Sequence, residues 1–185
     1  MDGFYFTLLA VLLAGIGGRD QVLVANLTRV QGARPAVLVL ALAISIATAS
    51  FAAWAAITVA PLLGPLARQF FVAMALVFAG GESLLIRPRR SLREPTMSLG
   101  ALAFAVLAFQ LIDAARFLIF AMAIATGGPI LAGIAGAVGG AVLVAAGWMA
   151  PDVFAERWVG IARRVIGAVL LAFGLWLAWS VLAQN

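Results

Sequence analysis

The chain consists mostly of apolar stretches long enough to cross a bilayer, and five ionisable residues lie inside these stretches. They are Arg19 and Asp20 in the first stretch, Glu82 near the end of the third, and Asp113 and Arg116 in the fourth. A charged side chain at the bilayer centre costs roughly 2.5–3.5 kcal/mol on the milder insertion scales. We therefore expect these residues to face the protein interior and to serve a function there.

The composition supports a membrane protein and excludes several classes of function. Hydrophobic residues make up 65% of the chain and charged residues 10%, against about 25% charged residues in a typical soluble domain. The basic residues lie in short connections, as the positive-inside rule expects, so the net charge of +5 does not indicate nucleic-acid binding. Because the chain has no His and no Cys, a metal site would use oxygen ligands. No nucleophile–base pair or cofactor motif is visible, so we do not expect an enzyme.

The apolar pattern predicts six spanning helices, since each span needs about 20 apolar residues. They cover approximately residues 4–28, 35–59, 66–86, 97–125, 130–149 and 159–182, and the first is expected to be broken near Gly17, Gly18, Arg19 and Asp20. The expected fold class is an all-α integral membrane protein, with residues 1–86 and 97–185 as two three-helix halves and an Arg- and Pro-rich cytoplasmic linker over residues 87–96. In the fifth span, closely spaced glycines predict a close helix-packing face.

The arginines predict the orientation of the chain. Nine of them fall in the three connections that share one side of a six-span protein, and only Arg68 falls in a connection on the other side. The positive-inside rule then places those three connections in the cytoplasm and both termini on the non-cytoplasmic side of the inner membrane.

The two halves also repeat each other weakly, at an offset of about 95 residues. Val11–Gln21 aligns with Val106–Arg116, and Phe78 aligns with Phe173. Three spans per half invert the second half relative to the first. Inverted repeats place a substrate site near the bilayer midplane, at the interface of the repeats and beside interrupted helices.

Two polar clusters are the candidate site. The first half contributes Arg19, Asp20 and Gln21 beside paired glycines, and the second half contributes Gln110, Asp113 and Arg116 at a spacing that predicts one helix face. In the functional interpretation these residues line a central cavity. Asp113 is the principal cation ligand or proton carrier, Asp20 and Gln110 are further metal ligands, and Arg19 and Arg116 set the local potential.

Other interpretations of the same residues stay open. Arg19 could pair with Asp113, and Arg116 with Asp20, in a structural ion-pair cluster of a membrane module that transports nothing. Arginines that are accessible from the cavity could also bind an anion or a zwitterion. The protein would then be an exporter of an amino acid or another small solute. Glu82 could reach water at the membrane end and pair with a linker arginine, Arg87 or Arg89, or it could line the cavity.

Two three-helix halves that each open with a polar motif resemble the Golgi and chloroplast manganese/calcium–proton transporter family of the lysine-exporter superfamily. The family signature, E-x-G-D-[KR]-[ST], occurs once in each half and is often followed by Gln. Gly17, Arg19 and Gln21 match it in the first half, and Asp113 matches it in the second.

The chain departs from the signature at its acids. Gly15 and Gly18 replace the two acids of the first half, where Asp20 takes the hydroxyl position, and Gln110 replaces the Glu of the second half. The resemblance implies the six-span inverted-repeat fold and the exchange of Mn²⁺ or Ca²⁺ for protons. The expected function is thus secondary transport of a small ion. The expected partners are the lipid bilayer and the transported ion or solute, a homo-oligomer is compatible with the sequence, and no cofactor beyond a transported cation is expected.

Overall fold

The computed structural model of the chain describes residues 2–86 and 97–183, and within these ranges it is helical without any β-strand. The eight α-helices of these ranges are α1 (Asp2–Gly15), α2 (Arg19–Gln31), α3 (Pro35–Val59), α4 (Pro65–Leu85), α5 (Leu99–Leu111), α6 (Ala114–Thr126), α7 (Pro129–Met149) and α8 (Arg157–Leu182). The all-α prediction is confirmed. The predicted linker over residues 87–96, with Arg87 and Arg89, lies outside the described residues.

The helices fit a protein that crosses a membrane several times. On length and apolar composition, α3, α4, α7 and α8 can each span a bilayer. The pairs α1–α2 and α5–α6 are bent by 56° and 50° at short breaks, so the structure has four candidate spans, or six if each bent pair counts as one. The order of bent pair, long helix and long helix occurs twice along the chain.

The first break forms at glycines. Gly17 has a φ of +65°, in the left-handed region that favours glycine over residues with a Cβ. The N–H of Gly17 donates to the Gln21 Oε1 at 2.8 Å, so a side chain from the first turn of α2 holds the end of α1 in place. This polar turn separates the apolar helix α1 from α2, which carries polar and charged side chains along its length.

The second break corrects the prediction of a continuous helix with Gln110, Asp113 and Arg116 on one face. Gln110 lies at the end of α5, whereas Asp113 is the N-cap of α6 and Arg116 lies in its first turn. The Asp113 carboxylate accepts a hydrogen bond from the Ala115 N–H at 3.4 Å. An aspartate stabilises a new helix start in this way, which explains why the helix stops and restarts at this residue.

Close packing between the long helices depends on small residues. A Cβ built on Gly80 of α4 would lie 2.5 Å from the Leu171 nitrogen and 2.6 Å from the Gly167 oxygen, both in α8. In α7, Gly133 faces Ala53 of α3, and further glycines face side chains of α1, α3 and α6. The predicted glycine packing face of the fifth span is therefore confirmed.

Gly80→Ala is expected to destabilise the protein by about 1–3 kcal/mol, because the added methyl group has no room against the backbone of α8. Gly81→Ala is the matched control, since a Cβ at Gly81 meets nothing within 4 Å. Thermal unfolding of the purified variants should show a lower Tm for Gly80→Ala only. Equal Tm values for the two variants would contradict the close contact of α4 with α8.

Two contacts bring the α2–α3 and α7–α8 connections to the same end of the bundle. The Arg29 Nε lies 3.1 Å from the Asp152 Oδ1, and the Trp148 indole N–H donates to the Arg34 carbonyl oxygen at 3.3 Å. A six-span topology requires these two connections to share a side. The assignment of this end to the cytoplasm stays a prediction.

Candidate functional site

The two helix breaks contact each other through one buried and one exposed hydrogen bond. The Gln110 Nε2 donates to the Asp20 Oδ2 at 3.1 Å, and the Arg19 Nη2 donates to the Ile112 carbonyl oxygen at 3.4 Å. Asp20 and Gln110 are buried. The fold thus brings together the two polar clusters that the sequence places about 90 residues apart.

Glu82 of α4 connects four helices through its carboxylate. Its Oε1 lies 3.1 Å from the Arg19 Nη2 of α2 and 3.7 Å from the Arg163 Nη2 of α8, and its Oε2 accepts the Ala114 N–H of α6 at 2.9 Å. Only 11% of the Glu82 side chain is exposed. These contacts favour the interior position for Glu82 over the expected contact with water at the membrane end.

Arg163 is a site residue that the sequence pattern did not indicate, because its place beside a predicted connection suggested a topology-determining arginine. In the structure Arg163 lies in the second turn of α8, and its side chain is 5% exposed. Its neighbour Arg164 is exposed. The sequence does not show which of these two adjacent arginines is buried. Arg163 is buried because it lies on the side of α8 that packs against α4.

A hydroxyl pair on α3 is a second set of site residues that was not predicted from the sequence. The Arg116 Nε donates to the Thr48 Oγ1 at 2.9 Å, and its Nη2 donates to the Ser45 Oγ at 3.1 Å. The Thr48 hydroxyl also lies 2.9 Å from the Gln110 Oε1. Ser45 and Thr48 are three residues apart in a mostly apolar helix, and this spacing, typical of one helix face, is the signal that could have identified them.

The ion pairs expected for a structural cluster are not the pairs that form. Among the described residues, Arg19 pairs with Glu82 and not with Asp113, and Arg116 donates to hydroxyl groups and not to Asp20. Asp113 does not pair with Arg19 because the second break makes Asp113 the N-cap of α6. Glu82 pairs with Arg19 instead, because α4 brings it to the first break. Each guanidinium therefore meets a partner that the linear spacing did not indicate.

Gln21 has a structural position in the first break. Its side-chain oxygen accepts the Gly17 N–H, and its Nε2 donates to the Leu143 carbonyl oxygen of α7 at 2.8 Å. The side chain is almost fully buried. Gln21 thus fixes the turn between α1 and α2 against α7.

A cleft of about 960 Å³ opens beside the two breaks. Its polar lining comes from Arg19, Thr48, Glu82, Asp113 and Arg116. The remaining walls are apolar, with side chains from α3, α4, α5 and α6 and four phenyl rings, those of Phe51, Phe78, Phe117 and Phe120. Of the three predicted metal ligands, Asp113 lines the cleft.

The other two predicted metal ligands use their oxygens within the protein. The Asp20 Oδ1 accepts the Gln21 N–H at 2.8 Å and its Oδ2 accepts the Gln110 amide, while the Gln110 Oε1 contacts Thr48. Over residues 2–86 and 97–183, no three acidic side chains come close enough together to hold a metal ion. Cation binding in the cleft would depend on Asp113 and on neutral oxygens, because Arg19 and Arg163 engage the carboxylate of Glu82, the other acid of the lining.

Comparison of the chain with models of protein families, with curated protein sequences and with solved structures finds no match. The functional interpretation of the site consequently depends on its own geometry and on the sequence resemblance described above.

Proposed function

We propose that the protein is a secondary membrane transporter of a small charged solute and that its substrate site lies where the two bent helix pairs meet. The observation that carries the proposal is the contact between the two breaks, Gln110 to Asp20 and Arg19 to Ile112, at the edge of a cleft. Interrupted helices that meet in a bundle are the usual setting of substrate sites in secondary transporters.

The half-helices add to the electrostatics of this site. Both α2 and α6 begin at the breaks, so the positive ends of their dipoles are directed to the same region. Arg19 and Arg116 add positive charge, and Glu82 and Asp113 add negative charge. A site with both signs of charge next to apolar walls is better explained by the binding of a charged solute than by a purely structural role. A purely structural interface could be filled by apolar residues at a lower free-energy cost.

The leading substrate is a divalent cation, Mn²⁺ or Ca²⁺, exchanged for protons, as the family resemblance implies. In this mechanism Asp113 supplies the carboxylate that faces the cleft, and the arginines set its local potential. The repeated order of bent pair and two long helices supports the inverted-repeat architecture that alternating access in such transporters uses.

A second candidate is the export of an amino acid or a similar solute, and a specific observation favours it. Among the described residues, neither the Asp113 carboxylate nor the Arg116 guanidinium has an oppositely charged side chain within 4 Å, although both line the cleft. A solute with charges of both signs would complement these two groups.

Proteoliposomes with a trapped cation-sensitive dye test the leading substrate. An outward proton gradient, with the vesicle interior more acidic than the medium, should drive uptake of Mn²⁺ or Ca²⁺. The rate should be several-fold above that of protein-free vesicles, because each cation that enters would be exchanged for protons that leave. Collapse of the gradient with a protonophore should abolish the difference. Uptake at the protein-free rate for both cations would contradict cation–proton exchange.

A further inference from the structure

We propose that the cleft binds a small zwitterion with a bulky apolar body, its ammonium group at Asp113 and its anionic group at Arg116. This inference rests on the second candidate of the proposed function, the export of an amino acid or a similar solute, and it names the class of that solute for the same site. It is carried by three features of the cleft: two charged groups that have no oppositely charged side chain within 4 Å among the described residues, its phenyl walls and its size.

The negative pole is Asp113. The hydrogen bond that the structure gives its carboxylate is the one from the Ala115 N–H, at 3.4 Å. Glu82, the other acid of the cleft lining, is by contrast engaged by Arg19, Arg163 and the Ala114 N–H. Asp113 thus retains acceptor capacity toward the cleft, and a carboxylate in apolar surroundings gains most from a cationic donor.

The positive pole is Arg116, which is 6% exposed. Its hydrogen bonds go to two neutral hydroxyl groups, those of Thr48 and Ser45, which orient the guanidinium without neutralising it. A buried guanidinium without a carboxylate at ion-pair distance is costly. An anionic group of a ligand would supply such a partner.

The two poles lie at one helix start and line one cleft. Asp113 is the N-cap of α6 and Arg116 lies in its first turn, and both side chains line the cleft. An α-amino acid carries its ammonium and carboxylate groups on one carbon, so a single molecule can reach both side chains. A ligand with one charge would leave the other pole uncompensated.

The walls and the volume indicate an apolar body on the ligand. Phe51, Phe78, Phe117 and Phe120 line the cleft, and the ring centroids of Phe78 and Phe117 lie 5.7 Å apart. Phenyl rings offer no ligands to a metal ion, but they pack well against aromatic or branched apolar groups. A volume of about 960 Å³ also matches the range of sites for small organic molecules, far more than a single ion requires.

The test is the thermal stability of the purified full-length protein in detergent, with ligands that isolate each feature. L-Phenylalanine is the probe, phenethylamine lacks its carboxylate, 3-phenylpropionate lacks its ammonium group, and glycine lacks its apolar body. A ligand that binds the folded state raises the Tm by mass action. We expect L-phenylalanine to bind at least about tenfold more tightly than each of the other three, since each lost charged contact or apolar contact is worth that factor or more.

Two variants assign the poles. Asp113→Asn should remove the preference for L-phenylalanine over 3-phenylpropionate, and Arg116→Gln should remove its preference over phenethylamine. Asp152→Asn, at an exposed residue outside the cleft, should leave both preferences unchanged. Should Arg116→Gln fail to fold, the analogue series on the wild-type protein still decides the question.

Several outcomes would overturn the inference. One is a rise in Tm with a singly charged analogue or with glycine that equals the rise with L-phenylalanine. Another is a rise in Tm with phosphatidylethanolamine but not with L-phenylalanine. The last is no rise in Tm with any of these compounds. If cation–proton exchange in proteoliposomes persists while L-phenylalanine does not bind, the inference fails and the proposed function stands. If L-phenylalanine binds with the expected selectivity but no solute is transported, the inference stands and the proposed function fails.

Discussion

Asp113→Asn is expected to reduce transport by at least about tenfold while leaving the fold intact. The substitution removes the negative charge that lines the cleft, and a lost contact to a charged group is worth about 1.5–3 kcal/mol. It does not strand a buried arginine, because among the described residues no arginine lies within 4 Å of Asp113. Initial rates of substrate uptake in proteoliposomes, compared with wild type at equal protein content, measure the effect.

The asparagine is chosen because it preserves the helix start. Asp113 is the N-cap of α6, and asparagine caps helices about as well as aspartate does. The Tm of the variant should therefore stay within about 2 °C of wild type, since the cap is retained. A strong loss of Tm together with no protection by any ligand would instead support a structural role for the cluster. Unchanged uptake by a stable variant would remove Asp113 from the transport site.

Glu82→Gln is expected to have the largest effect on stability. The Glu82 carboxylate is the acid within 4 Å of both Arg19 and Arg163, whose side chains are 18% and 5% exposed. Removing one partner of a buried ion pair leaves uncompensated charge and costs about 3–5 kcal/mol. For a protein of this length, that corresponds to a Tm lower by about 10 °C. Thermal unfolding in detergent, followed by tryptophan fluorescence, measures the loss.

Two further variants test the cause of this loss. Asp152→Asn removes the partner of Arg29 from a pair whose side chains are 88% and 42% exposed, so its Tm should equal that of wild type. The double variant Glu82→Gln/Arg163→Gln should recover part of the lost stability, because it removes one of the two uncompensated guanidinium groups. A Glu82→Gln protein as stable as Asp152→Asn would show that the carboxylate does not hold the four helices together.

Glu82 also links the two helix breaks mechanically. It contacts Arg19 at the start of α2 and the Ala114 N–H at the start of α6. Any motion that separates the breaks must stretch or exchange these contacts. Glu82→Gln should accordingly alter transport as well as stability, whereas Asp113→Asn should alter transport alone. The contrast between the two acids separates a packing role from a substrate role.

The sequence indicated which polar residues would lie in the interior of the protein, but not which of them would pair. Arg19, Asp20, Glu82, Asp113 and Arg116 interrupt apolar stretches, and the structure places all five in or beside the contact of the two breaks. The expected pairs followed from charge alone. They were wrong because charge complementarity allows several pairings, and helix caps and helix packing choose among them.

The sequence by itself determined the helical, membrane-spanning character of the protein, because apolar length and the cost of buried charge act along the chain. It also marked the first break, since Gly17 suits a left-handed turn. Only the tertiary structure decided that the fourth apolar stretch breaks at Asp113, that Arg163 is buried, and that Ser45 and Thr48 hold Arg116. These features depend on which helix faces which, and that choice is made by close packing between residues far apart in the chain, such as Gly80 against Gly167.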